Sequence, residues 1–104
     1  MEAVALKPPT RQEILDRARH YITGPKQDEY GDAFITHQRI AWEISSVVGR
    51  DITATEAVLC QIGVKKARLS LNPTHVDSWI DLAGYAALGA EIAARELELE
   101  ASDE

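Results

Sequence analysis

The stretch AGYAALGAEIAA, residues 83–94, decides the fold. It is rich in small residues and shows none of the apolar–polar alternation of a strand, so it reads as the middle of a long helix. Gly inside a helix costs about 1 kcal/mol relative to Ala. Gly84 and Gly89, with Ala87 and Ala90, therefore mark places where another backbone comes close, within the bundle or from a second copy. Upstream, Asn72-Pro73 ends one helical segment and opens the next, with Asn as N-cap and Pro at the first helical position. Thr74 is an alternative cap, with Asp77 as its partner. This fourth helix is expected to run from about Pro73 to the high nineties.

The three earlier helices follow from caps and apolar period. Thr53 with Glu56 has capping-box spacing and opens the third, whose core side is Val58, Leu59, Ile62, Ala67 and Leu69. The second runs from about Asp32, its expected cap, to Val48, with Gly49 as a C′ stop. Phe34, Ile35, Ile40, Ala41, Ile44, Val47 and Val48 form its apolar side, with Trp42 at the edge. Thr10 and Glu13 open the first helix, which carries Ile14, Leu15, Ala18, Tyr21 and Ile22 and stops at Gly24-Pro25. Residues 24–32 are a polar loop and residues 1–9 an extended leader. The expected fold is a compact all-α bundle of four helices in one domain, residues 1–104, and a homo-oligomer.

At 104 residues, 45% hydrophobic and 27% charged, the composition is that of a single globular domain. The net charge of -6 argues against a broad basic face for nucleic acid. The acidity is concentrated at one end. Glu96, Glu98, Glu100, Asp103 and Glu104 lie in the last nine residues, read as a frayed tail, and residues 1–95 carry only -1. No apolar run approaches the ~20 residues that cross a membrane, and the N-terminal residues lack a secretion signal, so a cytoplasmic protein is expected. Cys60, the one cysteine, is assigned to the core.

Chemistry concentrates in His75-Val-Asp77-Ser-Trp79-Ile-Asp81. Asp77 and Asp81, four residues apart, put two carboxylates on one helix face. Such a pair can hold a divalent cation, Mg²⁺ or Mn²⁺, through oxygen. Asp77 equally suits the helix N-terminus, and Asp81 an ion pair with Lys65 or Arg68. Lys65 and Arg68 share a face of the third helix and meet the acids across a short turn. Carboxylates for a metal beside cations for phosphate oxygens are what a metal-bound polyphosphate requires. Glu43 is a further candidate ligand. Trp79 or Tyr30 could stack on a base, and His75 borders the site. Asp28, Glu29 and Asp32 could close over a ligand, and Glu56 is explained by its cap. His20, His37 and His75 lack metal-ligand spacing, and no phosphate-cradling glycine loop is present.

The segments EYGDAF (29–34), KKARL (65–69) and HVDSWIDLAGYAALGAEIA (75–93) resemble a family of small proteins encoded by phages and prophages. The resemblance spans roughly residues 12–94, with DSWIDLAGYAAL its most specific block. The acidic helix running into a small apolar stretch is also similar to the MazG-like all-α nucleotide pyrophosphohydrolases. That resemblance implies Mg²⁺ bound by an EExxE motif on one helix and ExxD on a later one. It also implies hydrolysis of a (d)NTP to the monophosphate and pyrophosphate, in dimers or tetramers. Asp81 matches the Asp of ExxD; Ser78 stands at the Glu position, and the adjacent Asp77 could substitute. EExxE is missing from the sequence, with Glu43 its positional counterpart. The alternative expectation is a noncatalytic phage accessory protein that binds a host protein or a small nucleotide.

Overall fold

Three of the helices begin at a capping side chain, and one of them ends at a glycine. The computed structural model of the chain describes residues 7–23 and 32–102. Four helices, α1 (Arg11–Thr23), α2 (Ala33–Val48), α3 (Ala54–Leu71) and α4 (Val76–Ser102), pack together with no strand among the described residues. The Thr10 hydroxyl accepts from Glu13 N–H while the Glu13 carboxylate accepts from Thr10 N–H, both at 3.2 Å. Asp32 accepts from Phe34 and Ile35 N–H and caps α2. Gly49, at φ 76°, ends that helix by donating to Ser45 O. Thr53 and Glu56 form the full capping box of α3.

The entry to α4 differs from the expectation. Asn72 terminates α3 by donating to Arg68 O, and α4 starts only at Val76. Asn72 and Pro73 belong to the turn, whose carbonyls are taken by His75 N–H and by the Trp79 indole, at 3.1 and 2.8 Å. At the other end α4 continues to Ser102, beyond the high nineties. Glu96, read as part of a frayed tail, has a structural partner. Its carboxylate accepts from Thr55 N–H at 2.7 Å and Thr55 O–H at 2.8 Å, closing the open start of α3.

α3 and α4 are the central pair. Gly89 is where they close up, since a Cβ there would meet Val58 Cγ1 at 3.2 Å. Around this approach Ala54, Val58 and Ile92 form the core, with Phe34, Ile62 and Tyr85 packed against them. α2 packs on α3 and, through fewer residues, on α4; among the described residues α1 packs on α4 and on no other helix. Gly84 admits α1, because a Cβ there would meet Ile22 Cγ2 at 3.2 Å. Both glycines are thus explained within one chain. His37 is buried, with Nδ1 on Ala33 O at 2.7 Å and Nε2 on the Gln61 side-chain amide at 2.9 Å.

The packing is open and elongated, 65 × 27 × 23 Å. Its radius of gyration of 16.7 Å exceeds the ~13 Å of a compact chain near this length. Several residues assigned to the core are therefore exposed: Leu15, Tyr21, Ile35, Val47, Val48, Leu59, Ala67 and Cys60. α2 buries only one stripe, and α3 is apolar on two sides while one faces its neighbours. No helix of the described residues is long and apolar enough to cross a membrane.

Gly63 is mid-helix with nothing within 4 Å of an added Cβ. Gly63→Ala is therefore expected to raise unfolding free energy by about 0.5–1 kcal/mol. Gly84→Val should lower it by about 1–3 kcal/mol through crowding against Ile22. Urea titrations read both. Glu56 titrates below its ordinary 4.5, held down by the Thr53 N–H and then by the Arg50 guanidinium. A carboxyl with a lowered folded-state pKa stabilises the fold above 4.5, and that contribution disappears as pH falls through the folded value. Glu56→Ala should thus be less stable than the native chain at pH 7, with the gap narrowing as pH falls below 4.5.

Candidate functional site

The turn at residues 72–75 folds α4 back along α3, and this sets Lys65 of one helix against Asp81 of the other. Lys65 Nζ lies 2.9 Å from Asp81 Oδ2. The lysine side chain is 15% exposed and the aspartate 36%, so the pair is partly shielded yet open to solvent. Helix geometry at about 100° per residue locates it. Lys65 stands one turn beyond Gln61, whose side chain meets His37 of α2. Asp81 stands one turn before Tyr85 and beside Gly84, against which Ile22 of α1 packs. The pair is flanked by α2 on one helix and by α1 on the other. No Cα of α1 lies within 8 Å of α2 or α3 among the described residues. The Lys65–Asp81 pair therefore ties α3 to α4 beside their connecting turn, with the α2 contact on the Lys65 side and the α1 contact on the Asp81 side.

The other predicted site residues divide between those the fold gathers here and those it does not. Asp77 lies one turn before Asp81 on the same face and is exposed in the first turn of α4. There it also complements the positive end of the helix. Arg68 is exposed, three residues beyond Lys65. His75 is a positioning residue: its Nδ1 is 2.7 Å from the Oγ of Ser78, which is fully buried. Trp79 is two residues from Asp81, and an offset of two sends side chains to nearly opposite sides of a helix. Its indole N–H donates to Pro73 O, and its ring faces away from the pair. Glu43 is likewise two residues from the buried Ala41, and it is exposed on the outer side of α2. It does not join Asp77 and Asp81, and no three His, Cys, Asp or Glu of the described residues gather as a metal group. Tyr30, Asp28 and Glu29 lie outside the described residues.

A second polar surface, absent from the sequence expectations, lies toward the end of α4. Glu91, Arg95 and Glu98 line a cavity of about 230 Å³ with Asp32 and Phe34. Arg95 holds its guanidinium 5.4 Å from the Phe34 ring centroid. The readable signal is the i, i+4, i+7 spacing of Glu91, Arg95 and Glu98, which puts the three on one face.

Comparison with known proteins gives two positive findings. A family model described as "Domain of unknown function (DUF6378)" matches residues 13–93, a span containing Lys65, Arg68, Asp77 and Asp81. The chain is also 37% identical over 75 residues to the gene 55 protein of Mycobacterium phage L5. That alignment takes in 70% of this chain and 47% of the phage protein, so the chain spans about half the length of its curated relative. No solved structure matches. On the strength of a match over most of its length, the chain belongs to the DUF6378 family, a domain of unknown function, and has a mycobacteriophage protein among its relatives.

Proposed function

We propose that the protein is a MazG-like nucleotide pyrophosphohydrolase, or a diverged relative of one, cleaving a (d)NTP to the monophosphate and pyrophosphate. The observation that carries this reading is a lysine and an aspartate 2.9 Å apart, partly shielded yet reachable from solvent, where α3 meets α4. Each charge neutralises the other until a ligand offers both a stronger partner. A triphosphate with its divalent cation does so: phosphate oxygens accept from Lys65, and the Asp81 carboxylate turns to the cation. Asp77 sets a second carboxylate one turn away. Mg²⁺ is commonly held by one or two carboxylates together with substrate phosphates. Two acids suffice for Mg²⁺ or Mn²⁺ arriving on the nucleotide, whose phosphates supply further oxygens. Bound there, the metal would supply an activated water and charge neutralisation at phosphorus. Lys65, with Arg68 as a second cation on the same helix, neutralises the charge that develops on the departing pyrophosphate.

A second reading is a noncatalytic phage accessory protein that binds a host protein or a small nucleotide. It is favoured by large apolar side chains in the open, Trp42 at 72%, Val47 at 86% and Leu71 at 90% exposed.

A panel of ribo- and deoxyribonucleoside triphosphates, assayed for pyrophosphate release with Mg²⁺ and with Mn²⁺, tests the first reading. The native chain should turn over at least one nucleotide. Asp81→Asn and Lys65→Met should each lose roughly 100-fold or more with helicity retained. A blank panel overturns the hydrolase, and one host protein captured stoichiometrically alongside it supports the accessory reading.

A further inference from the structure

α4 carries a second apolar face that the fold leaves open. Trp79, Ala83, Ala86, Ala90, Ala93 and Leu97 are separated by 4, 3, 4, 3 and 4 residues. That alternation keeps all of them on one side of a helix, as in a coiled-coil seam. The side is not the one used inside the chain, where Gly84 meets Ile22, Gly89 meets Val58, and Ile80 and Ile92 are buried. Trp79 is 52% and Leu97 67% exposed, Ala86 and Ala90 are exposed, and Ala83 and Ala93 are half-buried. The Trp79 ring is already fixed by its bond to Pro73 O, so docking against it costs little further side-chain entropy.

We propose that a second copy of this chain docks on this seam, with the two α4 helices antiparallel about a two-fold axis near Leu88. The seam is symmetric in spacing about that residue. Reversing it pairs Trp79 of one copy with Leu97 of the other, Ala83 with Ala93, and Ala86 with Ala90. A two-fold interface requires such self-complementarity, in which residue i meets j and j meets i. The alanine layers allow the helix axes to approach toward the near end of the usual 8–10 Å range. The two large residues then close the ends of the contact, about 27 Å apart along the helix.

Charge selects the antiparallel arrangement. The Leu97 end of α4 is acidic, with Glu91, Glu98 and Glu100 exposed against one exposed cation, Arg95. The Trp79 end adjoins the last turns of α3, where Lys66 and Arg68 are exposed against one exposed acid, Asp77. Antiparallel docking brings the acidic end of each copy to the basic end of the other. Parallel docking would stack the acidic ends together and set Trp79 against Trp79. Among the described residues, Trp79, Ala86, Ala90 and Leu97 remain exposed on this side.

Sedimentation analysis of the full chain should give a dimer, and Ala86→Glu and Ala90→Glu should each give a monomer of unchanged helicity. Orientation is read on the unaltered seam by nitroxide labels at Glu98→Cys in a Cys60→Ser background. Antiparallel docking predicts an electron–electron distance of roughly 30 Å between copies. A native chain that is monomeric at 100 μM, a dimer indifferent to both glutamates, or a label distance under about 15 Å overturns the proposal. None of these results depends on nucleotide turnover, so this proposal and the hydrolase reading fail separately.

Discussion

The register of α3 against α4 is the constraint on which the rest of the molecule depends. It is held at both ends by polar ties and in the middle by a missing side chain. At one end the Glu96 carboxylate takes the Thr55 N–H and hydroxyl; at the other, Lys65 meets Asp81. Between them Gly89 brings the backbone of α4 against Val58. With that pair set, α2 has α3 to pack on and α1 has α4, and neither needs the other. α1 and α2 are anchored mainly to different members of the central pair, and among the described residues no Cα of one lies within 8 Å of the other.

The Lys65–Asp81 ion pair is balanced between two roles. Its lysine is shielded enough for the charge to matter, and its aspartate open enough for a ligand to reach. Were the pair fully buried, desolvation would hold it shut; fully exposed, water and salt would make it nearly neutral in energy. The intermediate burial is what connects a structural tie to a functional proposal. Asp77 and Arg68, exposed on either side of the turn, extend the same mixture of charges outward.

What was legible in the sequence was local. Thr10 with Glu13, Asp32, Gly49 and Thr53 with Glu56 bound their helices as read, because a cap and its partner lie within four residues. The Lys65–Asp81 pair was also within reach, since a short turn joins the two helices. Features set by distant partners were not legible. Glu96 resembled tail charge because Thr55 is 41 residues away. Leu59, Ala67 and Cys60 were placed inside because α3 is apolar on two sides, and periodicity alone does not say which one faces α2 and α4. Trp79 was drawn into the site by proximity in sequence and Glu43 as the counterpart of EExxE; an offset of two residues turns Trp79 away from Asp81 and Glu43 away from the buried side of α2 at Ala41. Asn72-Pro73 carried the signature of a helix start, yet Asn72 ends α3 and both residues belong to the turn.

The central claim is that the Lys65–Asp81 pair receives a metal-bound phosphate group. Amide and side-chain NMR shifts, followed while Mg²⁺ and a non-hydrolysable triphosphate are added together, test it most directly. The account predicts saturable shifts at Lys65, Asp77 and Asp81, with the outer seam of α4 unmoved. Shifts confined to Glu91, Arg95 and Glu98, or no saturable shift at millimolar ligand, would contradict it.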